Sequence, residues 1–224
     1  MCIPSSRRWA EALRLTLRRV YDPTTRMPVP WLLAGDAALN LQGVRVEPQD
    51  VLEFRAISPF AAAYFAQLMR PHEAPETAAT IVYRRGGNMP PSENWRSNFH
   101  QRVVAWSLGG KATWLGRWLV DDVTVQASYV RSVHPDPVGM ALVQRVEPRR
   151  VRFENMDVAV VPLEHLLVEA VQRNQTEQSQ RIMNVLRTGG YDDHLLRRAA
   201  ATLPDEKSGR IVRLLEFNVI SRDA

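Results

Sequence analysis

The sequence predicts an α+β fold, a mixed sheet with flanking helices followed by a C-terminal helical bundle, and three observations carry that prediction. Residues 31–54, WLLAGDAALNLQGVRVEPQDVLEF, read as strand, tight glycine turn, short helix and second strand. From Phe99 to Val130, β-branched and aromatic residues concentrate around a Gly109-Gly110 break and an Asp121-Asp122 step, as in an antiparallel meander. After Pro162 the apolar spacing turns helical and stays so to the end of the chain. The expected division is an α/β domain over 1–161 and a helical annex over 162–224, packed as one unit.

The composition is that of an ordinary globular chain: 224 residues, 45% apolar, 8% aromatic and 24% charged. Its net charge is +5, with Lys111 and Lys207 the only lysines. A polyanionic partner would explain the balance, yet no stretch concentrates the arginines, so a general preference for Arg over Lys on solvated faces explains it as well. The single cysteine, Cys2, excludes an internal disulfide framework and argues against a cysteine-ligated metal. With no apolar run of signal-peptide length near the start and no 18 consecutive apolar residues, the expectation is a cytoplasmic protein with no membrane association.

Taken in order, Ser5 or Ser6 caps a first helix running to about Tyr21, with Trp9, Leu13, Leu17 and Val20 on one face and Arg7, Arg8, Arg14, Arg18 and Arg19 around the rest. Such a basic amphipathic helix can lie on nucleic acid or membrane, but packing on its own domain is the expectation. A Pro-rich connector leads to a buried strand, Trp31–Ala34, and then to a helix over Ala37–Gln42 that Asp36 opens and Gly43 closes. Asp50–Phe54 is the next strand. Ser58-Pro59 opens a helix from Phe60 to Arg70 with a stripe of Phe60, Ala63, Tyr64 and Leu68, which Pro71 to Glu76 breaks. Ala78–Arg84 reads as a strand and Gly86–Ser97 as a loop.

Within the meander the strand over Val123–Ala127 carries Thr124 and Gln126, with Asp121 and Asp122 in the turn before it. His134 and Asp136, set between prolines, fall short of a metal site because no third ligand accompanies them, and the other histidines stand singly. Val151–Val161 is a final strand. Pro162-Leu163-Glu164 starts the helical part with proline and an acid in the first turn, and further helices follow over Asp192–Leu203 and Asp205 to about Val219.

Two of these stretches resemble the nucleotidyltransferase fold, particularly its small bacterial and abortive-infection toxin branches. In that family an apolar strand, Gly-Gly or Gly-Ser, Ala-Leu, a small helix, Gly, a basic residue and Thr lead to Asp-apolar-Asp on the next strand. Leu32 and Leu33, Gly35, Ala38 and Leu39, Gly43 and Asp50 match in order, while Asp36, Pro48 and Leu52 replace the second Gly or Ser, the Thr and the second Asp. VVPLEHLLVEAVQRNQTEQSQRIMNVL resembles the family's later helix, with Leu163, Leu166, Leu167, Ala170 and Val171 in the apolar positions but Glu169 where a lysine is usual.

The resemblance implies Mg²⁺-dependent transfer of a nucleotidyl group from a nucleoside triphosphate onto RNA or protein, as by the toxin of a toxin–antitoxin pair. Asp50 would be a catalytic metal ligand, Glu53 and Asp121 or Asp122 would supply further carboxylates, and Gly35 and Asp36 would lie at the nucleotide. Alternate strand residues share a face, so Asp50 is expected to share one with Leu52 while Glu53 points away, leaving the pair of carboxylates incomplete. A carboxylate at Asp36 would also repel phosphates. Two functions therefore stand open: an active transferase, or a catalytically impaired relative that binds nucleic acid or a protein partner such as an antitoxin.

Overall fold

The structure, a computed structural model, describes residues 5–21, 30–48, 50–75, 89–132, 147–201, 203, 206–209 and 211. The chain forms two compact units, Met1–Ala37 with Glu47–Arg145, and Ala38–Val46 with Val146–Ala224. The predicted strand over 78–84, the His134 and Asp136 pair and most of the last predicted helix lie outside the described residues.

The first unit holds α1 (Ser5–Val20), β1 (Trp31–Ala34), the start of α2 (Gly35–Leu41), β2 (Val51–Ala56), α3 (Pro59–Leu68), a single 3-10 turn at Arg70–His72, β3 (Val104–Leu108), β4 (Lys111–Val120) and β5 (Val123–Ser132). Its strands lie in the order β3-β4-β5-β2-β1. The sheet is mixed: β1–β2, β3–β4 and β4–β5 are antiparallel, and β2–β5 is parallel. A parallel pair requires a crossover, and α3 is part of the chain that makes it.

Both α1 and α3 pack on one face of this sheet. Trp9, Leu13, Leu17 and Val20 are buried as their spacing predicts. The predicted stripe of α3 is corrected: Ala61, Ala62, Phe65 and Ala66 face the core, while Phe60 is 86% and Tyr64 54% exposed. The helix is apolar nearly all round, so periodicity did not set its phase. Burial of Phe65 does, with its ring centroid 5.3 Å from Trp31, 5.0 Å from Phe54 and 5.7 Å from Trp118. Ser58 caps the helix, its Oγ accepting from Ala61 N–H at 3.0 Å.

In the second unit the predicted single strand over 151–161 is a hairpin, β6 (Arg149–Phe153) and β7 (Met156–Val160). Glu154 adopts a positive φ of 52° in its turn, and the polar Glu154-Asn155 dipeptide was the signal for it. There follow α4 (Leu163–Gln172), α5 (Thr176–Gly189) and α6 (Asp193–Ala200), with α4 packed against both others. Asp192 caps α6 through Leu195 N–H at 2.9 Å, and the buried Glu164 side chain accepts from Asp192 N–H at 3.1 Å. Gln42 belongs to this unit and donates to Val161 C=O at 2.9 Å. Among the described residues no helix is long and apolar enough to cross a membrane.

Candidate functional site

The sheet of the first unit has a core face and a second face on which the polar residues gather. Leu52, Phe54 and Ala56 of β2, Val123, Val125, Ala127 and Tyr129 of β5, and Trp118 and Val120 of β4 are buried on the helix side. The alternate residues, Val51, Glu53 and Arg55 on β2, Thr124, Gln126 and Ser128 on β5, and Arg117 and Leu119 on β4, form the other face. Strand register draws them into rows: Val51 pairs with Thr124, Glu53 with Gln126, and Gln126 with Arg117.

Glu53 is therefore the carboxylate beside the glycine turn. Gly35 has φ +61° in the left-handed region, and a Cβ there would stand 3.2 Å from Glu53 Cδ, so a side chain at this position would be both strained and crowded. The expected orientation of this strand is corrected. Leu52 and Glu53 take opposite faces as their alternation predicts, but Glu53, not the Leu52 side, lies beside Gly35, and Leu52 is fully buried in the core. On the folded strand Val51 and Glu53 thus flank Leu52 on the face opposite the core.

The other sequence candidates lie elsewhere. Asp50 is exposed just before β2, and its C=O accepts from Thr124 N–H at 2.8 Å. Asp121 and Asp122 form the exposed β4–β5 turn with φ of 49° and 63°. Thr124 pairs with Val51, so this turn lies at the Asp50 end of the parallel strands, away from the Glu53 row. Asp36 is half-buried in the first turn of α2. Among the described residues no three His, Cys, Asp or Glu side chains come together as a metal-binding group.

Two residues that sequence reasoning missed complete the face. The loop before β3 is pinned to β4 through Ser97: its N–H donates to Arg117 C=O at 2.7 Å, its Oγ donates to Arg102 C=O at 2.7 Å, and Oγ accepts from Arg117 N–H at 2.8 Å. Trp95 is buried against Val104 and Leu115. Thus fixed, the loop meets the side chains of Arg96 and Arg117. Arg96 Nη1 donates to Glu93 C=O at 2.8 Å and Trp95 C=O at 3.1 Å, and its Nη2 donates to Thr124 Oγ1 at 3.3 Å. Arg117 Nη1 donates to Glu93 C=O at 2.8 Å and Ser92 C=O at 3.0 Å. Burial lowers the pKa of both guanidinium groups. The charge of Arg96 lowers that of Arg117 further, against a smaller upward pull from Glu93. Both remain cations at any physiological pH. No local pattern announces this pair, because one residue lies in a loop, the other in mid-strand, and only the loop's path joins them.

No protein-family model matches the sequence, and neither does any curated protein sequence. Among solved structures, a candidate nucleotidyltransferase of Thermotoga maritima superposes with a TM-score of 0.51 at 18% identity, covering 80% of this chain and 94% of that one. A candidate nucleotidyltransferase of Helicobacter pylori gives a TM-score of 0.41 at 11% identity, covering 98% of this chain and 83% of that one. The first of these likenesses shows the fold. This chain has a nucleotidyltransferase-like α+β fold.

Proposed function

We propose that the chain is a catalytically impaired protein of nucleotidyltransferase-like fold that acts by binding, with nucleic acid as the partner its charge favours and a protein partner as the alternative. One observation carries this reading. The row that crosses the polar face runs Glu53, Gln126, Arg117, an acid, an amide and a cation, where two-metal transfer needs clustered carboxylates. Val51, on the same face as Glu53, supplies no second acid, and Arg96 reaches the Thr124 that pairs with Val51. A pair of Mg²⁺ ions does not fit this donor set, since one carboxylate cannot offset the mutual repulsion of two dications and guanidinium groups add to it. The competing reading, active Mg²⁺-dependent transfer onto RNA or protein, draws on the one carboxylate kept against Gly35.

The test is label transfer. The wild-type chain, incubated with labelled nucleoside triphosphates, Mg²⁺ or Mn²⁺ and total RNA, is expected to label neither RNA nor protein. Transfer by the wild type that disappears in Glu53→Ala or Asp50→Ala would overturn the impaired reading and put the transferase first.

A further inference from the structure

Arg96 and Arg117 are held together by the chain itself. Both Nη1 atoms donate to the same carbonyl oxygen, that of Glu93, each at 2.8 Å. Sharing one acceptor caps the separation of those nitrogens at about 6 Å. Two like charges at that range repel, and burial of the surrounding surface strengthens the repulsion over its value in water. Carbonyl oxygens satisfy donors but bring no compensating net charge. Burial and then the neighbouring cation depress the Arg117 pKa, against a smaller upward pull from the Glu93 carboxylate, which is the same conflict, only partly offset, expressed as proton affinity.

The free donors of Arg117 point to what resolves it. A guanidinium offers five N–H bonds in a flat fork. Among the described residues Arg117 donates only through Nη1, to Ser92 and Glu93. That leaves its Nε and Nη2 edge, the side that takes an oxyanion with two parallel hydrogen bonds. Arg96 supplies a second cation, and its Nη2 contact orients Thr124, whose hydroxyl can donate onward.

We propose that Arg96 and Arg117, with Thr124 beside them, form a binding site for the phosphate group of a nucleotide or a nucleic-acid strand. The inference rests on the binding reading above and gives it a ligand chemistry. Arg117 takes two phosphate oxygens on its Nε and Nη2 edge while Arg96 neutralises the remaining charge. Glu53 and Gln126 occupy the adjoining positions of the same face, within reach of the nucleoside attached to that phosphate. The site does its work by charge and shape, with no bond made or broken.

The experiment measures binding of a fluorescent single-stranded 12-mer oligoribonucleotide, and separately of ATP, to the full chain at low salt. Wild type, Arg117→Gln, Arg96→Gln, Arg117→Lys and Arg173→Gln are compared, the last removing one charge from an exposed position in the second unit. Arg117→Gln and Arg96→Gln are expected to weaken binding at least tenfold and Arg173→Gln less than twofold. Arg117→Lys keeps the charge but not the fork, so it guards against misfolding by Arg117→Gln and is expected to lose about fivefold. Preference for the strand or for ATP identifies the phosphate's source, and either supports the site. A loss in Arg173→Gln equal to that in Arg117→Gln, full binding by Arg117→Lys, or no binding of either probe to wild type overturns it. Strand binding indifferent to both arginines would sink this inference and leave the binding reading standing, whereas label transfer by wild type would sink that reading instead.

Discussion

Glu53 and Gly35 form a contact whose energetics can be separated. Replacing Gly35 with alanine forces an L side chain into φ +61° and sets its Cβ 3.2 Å from Glu53 Cδ. The first effect costs about 1–2 kcal/mol wherever it occurs, and the second depends on the carboxylate being there. Gly35→Ala is therefore expected to destabilise by about 2 kcal/mol in urea unfolding, and Glu53→Ala in the same chain to restore only the crowding part, a coupling that a double-mutant cycle isolates. Full restoration would show that the backbone at Gly35 relaxes freely. The neighbouring Leu52 gives the complementary case. It is 0% exposed between the sheet and its helices, so Leu52→Asp puts an unpaired carboxylate in an apolar setting and is expected to cost at least about 3 kcal/mol. That should lower Tm by roughly 6–12 °C and gain no metal binding, because the new acid faces away from Glu53. Metal-dependent stabilisation of that variant would contradict the strand phase described here.

At the scale of elements, the β4–β5 hairpin shows how local chemistry fixes a turn. Asp121 and Asp122 both hold positive φ, 49° and 63°, the pattern of a two-residue turn that glycine or asparagine fills with least strain. Asp122→Gly is expected to raise stability by about 1 kcal/mol and Tm by a few degrees, and to leave phosphate binding unchanged. A loss of binding would place Asp122 in the site. This turn was legible in the sequence because an acidic pair between two β-rich runs has few other uses. The Trp31–Ala34 strand was legible too, bounded by proline and glycine and recovered as β1. The phase of β2 was not recovered by counting from Asp50. The apolar positions 52, 54 and 56 against the charged 53 and 55 carried it. The α3 face was misread for another reason: Phe60, Ala61, Ala62, Ala63, Tyr64 and Phe65 are all apolar, and only the aromatic cluster around Phe65 selects the buried side. The Arg96–Arg117 pair was beyond any sequence window, since residues 21 positions apart in number meet only through a loop that crosses the sheet.

For the whole molecule, charge and its distribution decide what kind of binding to expect. A net charge of +5 attracts polyanions at long range, but several arginines are already engaged within the chain. Arg14 pairs with Glu11, Arg102 with Glu73, Arg152 with Asp157, Arg181 with Glu177 and Arg197 with Asp193. The exposed members of this set contribute little to stability, but each neutralises a charge that would otherwise face a strand. The Arg96–Arg117 pair together with one further surface arginine would give a footprint of about three phosphates. For a single strand, neutralising about three phosphates gives a slope of about −2 in log affinity against log salt, so a fourfold rise in salt should weaken binding roughly fifteenfold. Arg117→Gln should make that slope shallower by about 0.7, the share of one phosphate. Fluorescence anisotropy of the labelled 12-mer at four salt concentrations measures both. A slope near −7 would instead require about ten phosphates in contact and a continuous basic track, and the Arg96–Arg117 pair could then be only a small part of the surface that binds.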